Sequence, residues 1–487
     1  MITNGETHGA KLDFRTFRNV INGRLTKTVE TRHGINPSTL ESNPEVPVST
    51  REDVDEAVRY ARQASQSWAE VPLAERQQAV IRFAAALKVQ EKEFAAMLTK
   101  EQGKPLFLAI DELAKASHWL DAQARLPYPE EIVEETEERI VVTRYTPLGV
   151  ALAIVPWNYP VLLACGKIAP ALVSGNTLIL KPSPFTPYCG LKLAELAQQF
   201  FPPGVLQALS GDDNLGPWLS AHDGIDKISF TGSTATGKVV MQSCAKTLKR
   251  VTLELGGKDP AIVCSDVDVK ETAPKIAQLA FLNSGQICIA IKRIYVHSSI
   301  YEDFLAAFVE AIKALVVGDG YKENVSLGPI QNCMQFEKLQ ALLEDIDQQH
   351  LNVATGGRKF VQGAEIGKGY FLKPTVVDNP PDESRIVREE PFGPIVPLLR
   401  WDSEDEVVAR ANNTSMGLGA SVWSKNVSQA GRLARKLQAG NVWINTHLDT
   451  RPDAAFGGHK QSGIGAEWGI EGLKSYCNTQ TLFLSKL

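Results

Sequence analysis

Between Gly149 and Leu255 the chain carries Val150-Ala151-Leu152-Ala153-Ile154-Val155, Thr177-Leu178-Ile179-Leu180, Val205-Leu206-Gln207-Ala208-Leu209, Lys227-Ile228-Ser229-Phe230 and Val251-Thr252-Leu253-Glu254-Leu255. These short apolar runs are separated by segments with helical spacing. Consecutive apolar residues in a strand need burial on both faces, which a parallel sheet achieves when its crossover helices cover it on both sides. The stretch therefore predicts a doubly wound α/β unit. Downstream, a second alternating series runs from about Lys270 to Asn445, with strand candidates at Arg293 to His297, Ile395 to Trp401, Ala420 to Trp423 and Val442 to Ile444. It predicts a second α/β unit. Upstream, residues 50 to 126 read as helices: Thr50 with Asp53 makes an N-terminal cap, and Val54, Ala57, Val58, Ala61 and Ala64 recur at helical spacing. A further helical run follows Pro72 and stops at Gly103. From Pro127 to Thr146 an acidic stretch ending in Ile140-Val141-Val142 reads as an extended hairpin with one charged face.

The composition narrows the function classes. A chain of 487 residues corresponds to roughly three domains of ordinary size. With 51 basic and 56 acidic side chains the net charge is -5, and no basic cluster offers a footprint for nucleic acid. A small-molecule partner is expected. The 7 cysteines form no C-x-x-C pair, so neither a disulfide framework nor a zinc ribbon is indicated, no metal site is expected, and a reducing compartment fits. The N-terminus lacks the basic and apolar regions of a signal peptide. Tyr145 to Gly166 is uncharged and long enough to span a bilayer, but Pro147, Pro156, Asn158 and Pro160 make it a buried strand followed by a turn. No membrane partner is expected. The chain ends in Ser485-Lys486-Leu487, a tripeptide that a peroxisomal import receptor reads when the host is a eukaryote and the tail is exposed. The alternative location is the cytoplasm.

Several short motifs carry chemistry. Phe230-Thr231-Gly232-Ser233-Thr234-Ala235-Thr236-Gly237-Lys238 joins a strand to a helix, and the free N–H groups of a helix start favour a phosphate. The run nearly matches the P-loop pattern, but Val239 stands where a hydroxyl should hold magnesium. A strand-to-helix turn of this kind is also an ordinary α/β connection. Cys288 follows the polar turn Asn283-Ser284-Gly285-Gln286-Ile287, where a thiolate can face a cleft; a small buried hydrophobe is the other reading of such a residue. Glu254 lies in Leu253-Glu254-Leu255-Gly256-Gly257-Lys258, where desolvation raises its pKa and suits it to act as a base; a salt bridge at the strand edge is the alternative. Asn158, in Pro156-Trp157-Asn158-Tyr159-Pro160, offers an amide to a developing oxyanion, or simply makes a turn.

Together these motifs, with Lys181-Pro182-Ser183, Glu390-Pro391-Phe392-Gly393-Pro394 and Phe456-Gly457-Gly458-His459-Lys460-Gln461-Ser462-Gly463, occur in an order that resembles the aldehyde dehydrogenase superfamily from about Asn22 to the C-terminus. The resemblance implies a Rossmann-like cofactor domain at 1–126 and 147–255, a catalytic domain at 256–461, and a small β oligomerisation arm at 127–146 and 474–487. A homodimer or homotetramer is then expected. The implied reaction is NAD(P)-dependent oxidation of an aldehyde to the carboxylic acid through a thioester. Cys288 takes the place of the nucleophile, Asn158 that of the oxyanion donor, Glu254 that of the base, and Lys167 and Glu467 those of positioning and proton relay.

For the cofactor, the resemblance assigns contacts to Trp157, Lys181, Ser183, Gly232, Ser233, Glu390 and Phe392. Pro184 stands where many NAD-preferring members carry a glutamate, so the charge that excludes a 2'-phosphate is missing. NAD is the first expectation and NADP remains open. Ala466 replaces an arginine common beside the relay glutamate. The substrate tunnel is expected to involve Tyr159, Gly166, Ile287, Ile289 and Phe456. Because Gly166 stands where some members of the family place a large aromatic, a roomy entrance suited to a bulky or long-chain aldehyde is expected. A P-loop nucleotide-binding protein and a non-catalytic structural relative are the competing classes. Val239 argues against the first, and joint retention of Cys288, Glu254, Asn158 and Lys181 argues against the second.

Overall fold

A computed structural model describes residues 11–128, 130–358 and 368–486. The apolar runs between Gly149 and Leu255 form the parallel centre of an eight-stranded sheet. Its order is Arg24–Thr26, Asn19–Ile21, Leu206–Ala208, Thr177–Lys181, Val150–Ile154, Lys227–Thr231, Arg250–Glu254 and Gly463–Ile464. Both faces are covered, as the mainly apolar runs require. Val150, Leu152 and Ile154 point into one core with Phe230 and Leu253, while Ala151 and Ala153 point into another with Leu178, Leu180 and the helix Pro160–Val173. The outermost strand, Gly463–Ile464, comes from far along the chain and pairs antiparallel with Leu253 and Glu254. This edge brings Glu467 towards Glu254.

A second, seven-stranded sheet has the order Val353–Thr355, Thr375–Asp378, Ile395–Trp401, Ile291–His297, Asp259–Val263, Gly419–Trp423 and Asn441–Ile444. Cores on its two faces again split alternate residues, Ile262 from Ala261 and Val263. The acidic stretch forms the expected hairpin, Glu131–Glu135 against Arg139–Pro147, and Cys477–Ser485 adds a third strand with Ser485 opposite Arg139. The helix Arg51–Ala69 opens with a reciprocal cap between Thr50 and Asp53, and Glu91–Gln102 ends at Gly103 with φ of 93°, a left-handed value that favours glycine. All seven cysteines are free thiols. Among the described residues, no helix is long and apolar enough to cross a membrane and no cluster of metal-ligating side chains occurs.

Candidate active site

Cys288 stands between two cavities. It is presented by a sharp turn after the helix Val269–Phe281, in which Asn283, Ser284 and Gly285 all have left-handed backbones, with φ of 51°, 57° and 71°. Gly285 is required there by space as well, since a Cβ would lie 2.3 Å from the Gly393 carbonyl oxygen. Two non-glycine residues in the left-handed region are strained, and the surrounding contacts hold them. The Ser284 hydroxyl donates to the Gly328 carbonyl at 2.7 Å and the Gln286 amide donates to the Asn283 carbonyl at 3.1 Å.

Asn158 is fixed from two sides. A fully buried Lys104–Glu112 pair at 2.5 Å braces its turn: Lys104 donates to the Asn158 carbonyl at 2.9 Å, and Glu112 accepts the N–H groups of Val161 and Leu162 that open the helix Pro160–Val173. The side-chain amide of Asn158 donates to the Gln286 carbonyl at 3.0 Å. An Asn amide carries two N–H bonds, so one stays available to an oxygen held beside Cys288. Asn158, Thr231 and Cys288 line both cavities.

The first cavity, about 100 Å³, is walled by Tyr159, Leu162, Leu163, Ile287, Ile289, Phe456 and Trp468, with Glu254 and Glu467 in its lining. Glu254 is buried, and neither carboxylate oxygen has a hydrogen-bond partner among the described residues. Burial, reinforced by the nearby Glu467 charge, holds its pKa well above the ordinary range, with Lys167 pulling the other way. Glu467 is itself bound: Lys167 donates to it, and the Ser229 hydroxyl donates to the same oxygen at 2.6 Å. Lys167, Glu467 and Ser229 thus form one buried polar network beside Glu254.

The second cavity, about 170 Å³, is lined by Trp157, Gly232, Ser233, Gly256, Glu390 and Phe392, together with Gln335 and Lys338. Glu390 accepts the Gly257 N–H at 3.1 Å, and a Cβ on Gly256 would come within 2.3 Å of its carboxylate. The Phe392 ring meets Trp157 edge-on, with centroids 5.2 Å apart. Ser233 caps the helix Thr234–Ala245 by accepting the Thr236 N–H at 3.2 Å. Lys181 and Ser183 lie outside the linings of both cavities. Lys181 is buried, which lowers its ammonium to about 8, while the Ser183 hydroxyl accepts the Phe185 N–H in a local turn.

One expectation fails. Gly166 lines neither cavity and opens no extra room. It is fully buried in the helix Pro160–Val173, and a Cβ there would stand 2.7 Å from Nε1 of Trp468. The indole of Trp468 occupies the space that the missing side chain leaves, and stacks obliquely on Phe456 with centroids 4.6 Å apart. Sequence reading overlooked Trp468, although it adjoins Glu467. It also overlooked Leu162 and Leu163, which helical spacing from Tyr159 would have found. Gln335 and Lys338 sit on the helix Cys333–Gln348, which carries no motif.

Comparison with known proteins bears on the family and the fold. The profile of the "Aldehyde dehydrogenase family" matches residues 25–482. The curated aldehyde dehydrogenase LUC3 of Fusarium sp. is 44% identical over 98% of this chain and 100% of its own length. Among solved structures, the NAD+ complex of the aldehyde dehydrogenase from Bacillus cereus is 35% identical, with a TM-score of 0.93 over 97% of each chain. The indole-3-acetaldehyde dehydrogenase AldA of P. syringae, solved with NAD+ and IAA, is 31% identical, with a TM-score of 0.93 over 96% of this chain and 97% of that one. With a family match across nearly the whole sequence and the fold in common, the chain belongs to the aldehyde dehydrogenase family.

Proposed function

We propose that the protein oxidises a slender, apolar aldehyde to its carboxylic acid with NAD or NADP, using Cys288 as nucleophile. The observation that carries this reading is the position of Cys288 at the junction of an apolar cavity containing Glu254 and a polar cavity containing Glu390. The Cys288 thiolate adds to the carbonyl carbon, a C–S bond forms, and the oxygen gains the negative charge that the free Asn158 N–H receives. Loss of hydride from that carbon leaves a thioester on Cys288. Glu254 then takes a proton from water as the oxygen attacks the thioester carbon, the C–S bond breaks, and the acid departs. The hydrogen-bonded network of Glu467, Lys167 and Ser229 would then pass the proton on.

The polar cavity suits a nicotinamide dinucleotide. Glu390 offers a carboxylate to ribose hydroxyls, Trp157 and Phe392 offer an aromatic corner, and Gly232 with Ser233 brings a helix N-terminus to the phosphates. When bound, the nicotinamide supplies the hydride acceptor. Both cofactors are compatible with Pro184, which carries no charge against a 2'-phosphate.

The apolar lining and its filling by Trp468 favour an unbranched chain over a bulky ring. The test is reduced-cofactor absorbance over linear, branched and aromatic aldehydes with each cofactor, for wild type and Trp468→Leu. The wild type is expected to prefer linear aldehydes, and Trp468→Leu to raise the relative kcat/KM for branched ones by about tenfold. An unchanged ranking would remove Trp468 from substrate selection.

We also propose that the three-stranded sheet joins copies of the chain. Ile132, Val133, Phe483 and Leu484 are exposed on it at 64%, 65%, 75% and 49%. Exposed apolar groups so concentrated mark contact surfaces. Phe483→Asp is expected to reduce the mass measured by light scattering, and an unchanged mass would place the interface elsewhere. Peroxisomal import through Ser485-Lys486-Leu487 is proposed on the sequence match. Ser485 pairs with Arg139, and Lys486 contacts Glu138 and Glu135, so reading requires these contacts to release; Leu487 lies outside the described residues. Deleting the tripeptide should leave the protein in the cytosol of a eukaryotic cell, and retained peroxisomal signal would exclude this address.

A further inference from the structure

Lys292, in the strand Ile291–His297, is 2% exposed and belongs to no motif used above. Its ammonium donates to the backbone carbonyl of Cys288 and forms an ion pair with Glu390 at 3.2 Å. It therefore touches two residues that line the polar cavity. We propose that Lys292 is a positioning residue of the oxidation, holding the Cys288 turn to the Glu390 carboxylate and supplying the positive charge that favours the Cys288 thiolate. The proposal rests on the reading of Cys288 as nucleophile.

The surrounding charges leave Lys292 as the cation that can act. Burial pushes the Cys288 thiol up to about 12; Lys292 draws it down, while Glu390, Glu254 and Asp259 push it further up. The guanidinium of Arg293 is committed to the carbonyls of Lys258, Arg410 and Ala411 and to the Tyr295 hydroxyl. Lys258 is buried with no hydrogen-bond partner for its amine among the described residues, and burial holds its pKa well down. His447, whose pKa burial lowers to about 3, shares a hydrogen bond with the Ile289 carbonyl and faces Asp259 at 4.0 Å, so it brings no charge near neutrality. Removing one partner of a buried ion pair leaves the other charge uncompensated, so without Lys292 the Glu390 carboxylate would keep the Gly257 N–H as donor but lose its cation.

The test measures iodoacetamide alkylation of Cys288 in the full-length, cofactor-free protein across a pH series, read by peptide mass spectrometry. Losing an adjacent positive charge disfavours the thiolate, so Lys292→Met is expected to slow alkylation near neutral pH by about tenfold and to shift its profile towards alkaline pH. Lys292→Arg should stay near wild type, and Glu390→Gln should shift the profile the other way. Because Lys292 also orients Glu390, Lys292→Met should raise the KM for the cofactor. A Lys292→Met profile that superimposes on wild type overturns the proposal, as does an equal shift in Lys292→Arg, which would show packing at work instead of charge. If Lys292→Met does not fold, an unmoved Glu390→Gln profile overturns it. Failure of the underlying reading is separate: wild-type protein alkylated at Cys288 would then still oxidise aldehyde.

Discussion

Cys288→Ala is expected to lower aldehyde oxidation by on the order of 10⁴-fold or more, as removal of a covalent nucleophile does elsewhere. The loss should fall on turnover alone. Trp157, Glu390 and Phe392 remain in place, so cofactor binding, followed by quenching of protein fluorescence, should persist. No other thiol can substitute: Cys165, Cys189, Cys244, Cys264 and Cys477 are buried, and exposed Cys333 lines neither cavity of the site. Turnover close to wild type would mean that the aldehyde is oxidised without a thioester.

Glu254→Gln should separate the two halves of the reaction. Gln keeps the volume and cannot take the proton. Addition by Cys288 and loss of hydride precede the need for that base, so a burst of one reduced cofactor per site is expected. Turnover then falls by on the order of 10² to 10⁴-fold. Intact-protein mass spectrometry should find the acyl group on Cys288. The pH dependence has a definite sign. Burial holds Glu254 protonated above the ordinary carboxylate range, and the base form appears only as pH rises through that elevated value. Steady-state turnover limited by deacylation should therefore climb with pH along a limb displaced above that of a free carboxylate. In Glu254→Gln this limb should vanish. A slow first turnover without a burst would instead assign Glu254 to a step before hydride loss.

The strands between Gly149 and Leu255 were legible because Val150 to Val155 is apolar on every successive residue, a pattern that doubly covered strands require, and the other mainly apolar runs alternate with helical segments. The strand Asp259–Val263, central in the second sheet, was not. It opens with Asp259-Pro260, and a proline argues against a central strand; the register slips between these two residues, a break in the ladder that admits the missing N–H. That Cys288, Glu254 and Asn158 share one cavity could be anticipated because they lie in ordered motifs. Their setting could not. Gly166 shows the absence of a side chain, but sequence cannot show that an indole from the far end of the chain fills the gap. Trp468 reaches it from a backbone with φ of 59°, which no residue preference foretells. Lys292 was equally hidden, since nothing in its neighbours in the sequence pairs it with Glu390.

The strand Gly463–Ile464 sets an order on biosynthesis. It completes the edge of a sheet whose other strands lie between Asn19 and Glu254, and it brings Glu467 to Lys167. Contacts between such distant residues form late and slow folding. On the ribosome, the first sheet would emerge early yet keep one edge open until Gly463 and Ile464 have been made. A nascent chain arrested after the second sheet would hold Cys288 and Glu254 but lack Glu467. Closure of that edge, and with it the pairing of Glu467 with Lys167, therefore waits for residues made after both sheets' other strands.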